Sequence, residues 1–331
     1  MRRRELLLAL GATGVTTGLA CAGWPDPLQG PASADARPAR RSPSPPPNDP
    51  TARPIPGTDW ATGLNDLRGV DDRDHPRRAA LYVPSSYDEA VSLPLMIAFH
   101  GNGGDGRTMF KQNALAKLCE ERGFVGLFPN MLNGAVQEDG SVIDPAVLEQ
   151  DWSIGLVDKT AKRLNIDRSR VWLVGFSMGG RRAYRLAAIH SETIAAIAVS
   201  GSRMGYDARQ GADDRWRPEV SQPKPVSVLH IHGEKDTRVP INGDRPDMPP
   251  GVRGIPTEEG LELWASHLRA TEQPMTRAPQ PCPERVRARR WQAESGHRVM
   301  GLFDPSLGHE WAAPWANPVI ADFLQNSPPR T

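Results

Sequence analysis

The sequence predicts an α/β domain, a mostly parallel sheet covered by helices on both faces. Three observations carry this. Apolar runs bounded by turn residues recur from residue 79 to residue 305, those from residue 93 onward are continuous rather than alternating, and segments of helical spacing lie between them. Continuous apolar runs are what strands buried on both faces look like, and strand followed by helix, repeated, brings parallel strands side by side.

In chain order, the expected strands are AALYVP at 79–84, LPLMIAFHG at 93–101, FVGLFPN at 124–130, RVWLVG at 170–175, IAAIAVSG at 194–201 and VSVLHIHG at 226–233. Helical spacing predicts helices over 108–122, 151–165, 179–189 and 257–270. The last of these carries Leu261, Leu263, Trp264 and Leu268 at near-helical spacing, with Glu258 and Glu259 early in it, where the helix dipole favours negative charge. RVRARRWQ at 285–292 and VMGLFDP at 299–305 read as edge strands, and NPVIADFLQ from 317 as a closing helix. No internal repeat is visible.

The chain has 331 residues, with 40 basic against 39 acidic side chains and a net charge of +1. That balance gives no pull towards nucleic acid or any other polyanion. Its 33 prolines exceed what a compact fold needs and concentrate near the N-terminus. Residues 1–21 read as an export signal: a short basic stretch, an apolar run of roughly 15 residues that is too short to span a bilayer permanently, and small residues before Cys21. Arg3 and Arg4 followed by Glu5-Leu6-Leu7 resemble a twin-arginine signal, although a general export signal fits nearly as well. TGLAC resembles a lipoprotein cleavage box, in which Cys21 would be lipidated and tie the chain to a membrane. Cleavage at LACAG without a lipid is the alternative.

Residues 22–58, rich in proline, serine, alanine and arginine, are expected to form a disordered tether. Residues 59–331 then make one large α/β domain. Cys119 and Cys282 are its cysteines, and in an exported protein the sequence leaves open whether they pair.

The stretch RVWLVGFSMGGRRAYRLAA places Ser177 between a buried strand and a helix. A serine hydroxyl is a poor nucleophile in water and needs an exposed perch and a base. Gly175-Phe176-Ser177-Met178-Gly179 supplies the perch, because a sharp strand-to-helix turn crowds the positions two before and two after the serine. Asp236, just past the strand in HIHGEKDTRVP, is placed to orient an imidazole, and His309, in PSLGHEWAAP, to accept the serine proton. Asp304 is the reserve acid. The order serine, acid, histidine is that of an α/β-hydrolase. Charge developing on a substrate oxygen calls for preorganised N–H donors. FHGNGGDG at 99–106 and the helix start nominate the amides of Asn102 and Met178 for an oxyanion hole, with Gly103 as substitute.

Together, LPLMIAFHGNGGDG, NIDRSRVWLVGFSMGGRRAYRLA, VLHIHGEKDTRVP and GHEW, spread over about residues 80–315, resemble the poly(3-hydroxybutyrate) depolymerase and feruloyl esterase family of α/β-hydrolases, in its exported, lipoprotein-like branch. The resemblance implies an esterase in which Ser177 is nucleophile, His309 base and Asp236 acid. It implies an ester substrate, small or polymeric, and no cofactor. Trp311, two residues from the base, is the expected substrate-binding aromatic; Trp152 and Trp315 are equally explained by core packing. A serine peptidase or a carbohydrate deacetylase would use the same three residues. A surface lipoprotein that binds polymer through RVRARRW without catalysis is the alternative from another class.

His230 and His232 alternate along one strand and face the same way, as two metal ligands do. A metal site needs a third ligand, and no HExxH or further His-Asp cluster is visible, so no metal is expected. The irregular stretches 131–148, 202–225 and 237–256 follow strands and are expected to shape the pocket.

Overall fold

The computed structural model describes residues 52–70, 76–131, 135–136, 142–143, 150–204, 224–244 and 254–331. Its strands are Gly63–Val70 (β1), Pro76–Val83 (β2), Leu93–Phe99 (β3), Val125–Pro129 (β4), Ala135–Val136 (β5), Val142–Ile143 (β6), Ile166–Phe176 (β7), Ala196–Ser200 (β8), Ser227–Gly233 (β9), Thr271–Gln273 (β10), Arg287–Gln292 (β11) and Arg298–Asp304 (β12). Its α-helices are Leu115–Arg122 (α1), Gln150–Ala161 (α2), Met178–Ile189 (α3), Thr257–His267 (α4) and Ala313–Gln325 (α5).

The main sheet has ten strands in the order β1-β2-β4-β3-β7-β8-β9-β12-β11-β10. Its central run from β4 to β12 is parallel, and antiparallel strands close both edges. Alternate residues of β3 enter opposite cores: Leu95, Ile97 and Phe99 on one face, Met96 and Ala98 on the other. The first core takes side chains from α2, α3 and α4, the second from α1 and α5. Helices on both faces explain why the central strands lack polar alternation. The chain leaves β3 for β4 on one side and returns to β7 on the other. That reversal is a topological switch point, where α/β sheets open a crevice beyond the carboxyl ends of their strands.

Several elements differ from expectation. The helix expected over 108–122 is split: Thr108–Gln112 makes a π-helical turn and Ala114, at φ 53°, breaks the run before α1. The Asn317 side-chain amide holds the break by donating to the Asn113 carbonyl at 2.8 Å. β7 starts at Ile166, four residues ahead of the strand expected over 170–175. β1 and β10 were not expected, because GLNDLRGV and TEQ are mostly polar; both run antiparallel at the edges, where water satisfies their outer face.

Residues 1–51, with the expected export signal, Cys21 and most of the tether, lie outside the described residues. The part of the tether that is described folds onto the domain, ahead of the boundary expected at residue 59. Ile55 is buried in the same core as Trp60, and Pro54 bridges Ala61. One apolar side chain between prolines is an anchor that average composition hides. Cys119 and Cys282 are both buried and free. Burial pushes both thiols up, that of Cys282 to about 11. Among the described residues no helix is long and apolar enough to cross a membrane.

Candidate active site

β7 ends by throwing Ser177 into a backbone conformation of φ 53° and ψ −119°, which L-residues rarely adopt. Neighbouring groups hold it there. The Ser177 amide donates to the Ser200 carbonyl at 3.0 Å, and the Ser202 hydroxyl donates to the Ser177 carbonyl at 2.8 Å. The flanking glycines are steric requirements: a Cβ on Gly175 would lie 2.4 Å from the Gly179 carbonyl carbon, and one on Gly179 would lie 2.1 Å from the Phe99 carbonyl oxygen.

The loops after β9 and β12 bring their residues to this serine. His309 Nδ1 lies 2.7 Å from Asp236 Oδ2, and His309 Nε2 lies 3.0 Å from Ser177 Oγ. Asp236 Oδ1 accepts the amides of Arg238 at 2.9 Å and Val239 at 2.8 Å. Burial alone would raise the Asp236 carboxyl, but the His309 bond and the Val239 amide outweigh it and hold the group below its ordinary value. An ionised carboxylate only accepts, so Nδ1 carries the imidazole proton and Nε2 presents its lone pair to the serine hydroxyl. The arrangement can move a proton from Oγ to Nε2 while the carboxylate stabilises the resulting imidazolium.

Asp304 is not in reach of this role. Arg285 grips it through both carboxylate oxygens at 2.9 Å, and the Ser306 amide and hydroxyl cap Oδ1 at 2.9 and 2.7 Å. It shapes the exit of β12 instead.

Asn102 and Met178, the expected oxyanion donors, both line the cleft beside Ser177 and His309. Met178 opens α3, whose first-turn amides lack partners within the helix. Gly101 comes close enough that a Cβ there would lie 3.3 Å from the Ser177 Cβ. His100, which sequence reasoning passed over, supports this loop. Its Nδ1–H donates to the Gly101 carbonyl at 2.7 Å, and its Nε2 accepts the Met131 amide at 3.0 Å. Burial holds its pKa below the ordinary histidine value. The hint was a histidine at the end of a strand, directly before a glycine turn.

The cleft encloses about 340 Å³. Phe176 and Val239 give it apolar wall, while Arg181, Arg203 and Arg238 give it positive charge. The sequence signal for Arg181 was available: it stands one helical turn beyond Ser177. Most of the three irregular stretches expected to shape the pocket lies outside the described residues, but Ser202, Arg203, Arg238 and Val239 belong to them and do line it. Trp311, the expected substrate-binding aromatic, packs against Phe176 of the cleft wall. Its indole N–H donates to Asn317 Oδ1 at 2.9 Å, and its ring stands edge-on against Phe176, which packs in turn on His309. Trp315 is a core residue, and Trp152 lies under the Arg77 guanidinium at 4.3 Å.

His230 and His232 do face the same way, but their ring nitrogens are engaged by Tyr184, by each other and by the Val239 carbonyl. Arg287 and Arg289 of RVRARRW face carboxylates: Arg287 meets Glu234 and Glu258, and Arg289 meets Glu258, Glu262 and Glu272, at 2.7–3.2 Å.

With this geometry in view, solved structures offer a comparison. The acetyl xylan esterase from Aspergillus awamori aligns with a TM-score of 0.53 at 16% identity, over 80% of this chain and 100% of that one. The chain has the α/β-hydrolase fold. The relatives of this hydrolase-fold chain point the same way. It is 27% identical over 306 residues to the putative esterase NocK of Nocardia uniformis subsp. tsuyamanensis, covering 85% of each chain. It is 22% identical over 271 residues to feruloyl esterase B of Thermothelomyces thermophilus, covering 76% of this chain and 89% of that one. No family model matches the chain.

Proposed function

We propose that this α/β-hydrolase is a serine esterase that cleaves carboxylic esters through an acyl-enzyme. The observation that carries the reading is the unbroken line from Ser177 Oγ through His309 to Asp236, at 3.0 and 2.7 Å. Ser177 Oγ attacks the ester carbonyl as its proton passes to His309 Nε2. The carbonyl oxygen becomes an oxyanion facing the amides of Met178 and Asn102. On collapse the C–O bond to the alcohol breaks, and His309 returns its proton to that oxygen. Water then adds to the acyl carbon by the same route, releasing the acid and restoring Ser177. No step needs a cofactor.

The substrate class is acyl esters of the feruloyl, acetyl or hydroxyalkanoate kind. The names of the relatives and the resemblance of the four sequence motifs support it. A panel of p-nitrophenyl acetate, methyl ferulate, short hydroxybutyrate oligomers and a p-nitroanilide tests it: ester cleavage without anilide cleavage is expected, and preferential anilide cleavage would make the chain a peptidase. The MRRRELLLAL start and TGLAC support a further proposal, that the protein is exported and lipidated on Cys21. Detergent phase partitioning of the mature protein tests this, because recovery in the aqueous phase rules the lipid out.

A further inference from the structure

Behind the acid of the site lies a buried line of polar groups that the chemistry above does not use. Tyr184 on α3 and His230 and His232 on β9 are all almost wholly buried. The Tyr184 hydroxyl lies 2.7 Å from His230 Nδ1, His230 Nε2 lies 2.9 Å from His232 Nδ1, and His232 Nε2 lies 2.8 Å from the Val239 carbonyl oxygen. The two imidazoles are nearly parallel, 6° apart.

The proton positions follow from the last acceptor. A carbonyl oxygen only accepts, so His232 Nε2 must carry hydrogen. Burial disfavours the charged form of both rings and depresses their pKa values, so His232 is neutral and its Nδ1 is a lone pair. His230 Nε2 must then donate to it, which leaves His230 Nδ1 to accept the Tyr184 hydroxyl. Every donor points the same way, from α3 towards the turn that carries Asp236. The terminus of the line matters: Val239, whose carbonyl receives it, gives its own amide to Asp236 Oδ1 at 2.8 Å, and His232 Nε2 stands 3.6 Å from Asp236 Oδ2. Arg203 adds positive charge near His232, and the Thr257 hydroxyl lies 3.5 Å from its Nδ1.

We propose that Tyr184, His230 and His232 are positioning residues: a one-directional relay of hydrogen bonds that locks the Asp236–Val239 turn to the nucleophile's own helix and so aims Asp236 at His309. The proposal rests on the esterase reading. It explains why two polar rings occupy a strand interior where apolar side chains would pack more cheaply. It also gives α3 two connections to the reaction, Ser177 at its start and Tyr184 two turns on.

The test compares wild type with Ser177→Ala, Tyr184→Phe, His232→Leu and His232→Gln. Gln can still offer an N–H towards Val239, and Leu cannot. His232→Leu is expected to lose kcat by about tenfold or more with little change in KM, as loss of an orienting partner does. His232→Gln should recover most of that loss, and Tyr184→Phe should show a smaller one. In His232→Leu the acidic limb of kcat/KM should move to lower pH, because a loosened carboxylate stabilises the charged imidazole less; simple destabilisation leaves that limb in place. Long-range 1H–15N correlations of the imidazole rings should find His230 and His232 as single Nε2–H tautomers across about pH 5 to 8. Should His232→Leu fail to fold, Tyr184→Phe and the ring spectra decide. Wild-type kcat in both His232→Leu and Tyr184→Phe, or an Nδ1–H on His232, overturns the relay. Activity persisting in Ser177→Ala overturns the esterase reading instead, so the two failures are told apart.

Discussion

The Lys235 amide donates to the Leu307 carbonyl at 3.1 Å, which makes the turn carrying Asp236 and the loop carrying His309 a single piece. The Glu234 amide adds a second tie, to the Asp304 carbonyl at 2.9 Å. The acid and the base therefore do not find each other through their side chains alone; their backbones are already joined.

Gly233 is where that joint is tightest, since a Cβ there would lie 2.2 Å from the Leu307 carbonyl oxygen. Gly233→Ala is expected to cost about 1–3 kcal/mol of stability, as overpacking does, and to lower kcat by prising the base loop away. Chemical denaturation together with steady-state kinetics checks both.

The choice between acids has a direct kinetic reading. Asp236→Asn should drop kcat by about ten-thousand-fold, the scale seen when a triad carboxylate becomes an amide. Asp304→Asn should leave kcat nearly intact and lower the melting temperature, because Arg285 and Ser306 lose a charged partner. The reverse pattern would reassign the acid.

Acid should act through the same carboxylate. In the folded chain Asp236 sits below its ordinary 3.8, so on acidification the unfolded chain takes up that proton first. Its contribution is complete at neutral pH and is lost progressively below about pH 4. The stability difference between wild type and Asp236→Asn should shrink over that range in urea titrations at successive pH values.

The arginine stripe on β11 should behave as a salt-bridge network. Replacing Arg287 and Arg289 with Gln is expected to cost roughly 1 kcal/mol, less at high ionic strength, and to leave esterase activity unchanged. Retention of the wild type on an anionic-polymer column that disappears in the double variant would instead support a binding role.

The parallel sheet was legible because both of its faces are covered, so the apolar runs announce themselves without alternation. The elbow was legible for a steric reason: glycines at 175 and 179 have no substitute where a Cβ meets backbone at 2.1–2.4 Å. Asp236 and His309 stood out through their order and their places after strands. What stayed hidden depends on contacts between distant segments. Nothing local in GLNDLRGV separates an edge strand from a loop, and nothing near Trp311 shows that Asn317 and Phe176 fix its ring. His230 and His232 were visible as a pair facing one way. Only the fold, by adding Tyr184 from α3 and the Val239 carbonyl, turns that pair into a chain of hydrogen bonds.

The central claim is that Ser177 is the nucleophile. Purified wild type and Ser177→Ala, both checked for folding by circular dichroism, would be given short-chain p-nitrophenyl esters and a fluorophosphonate probe. The account predicts hydrolysis and covalent labelling in the wild type, with labelling lost and turnover reduced by on the order of a million-fold in the variant. Turnover that survives in Ser177→Ala, or a folded wild type that neither hydrolyses esters nor takes the probe, would contradict it.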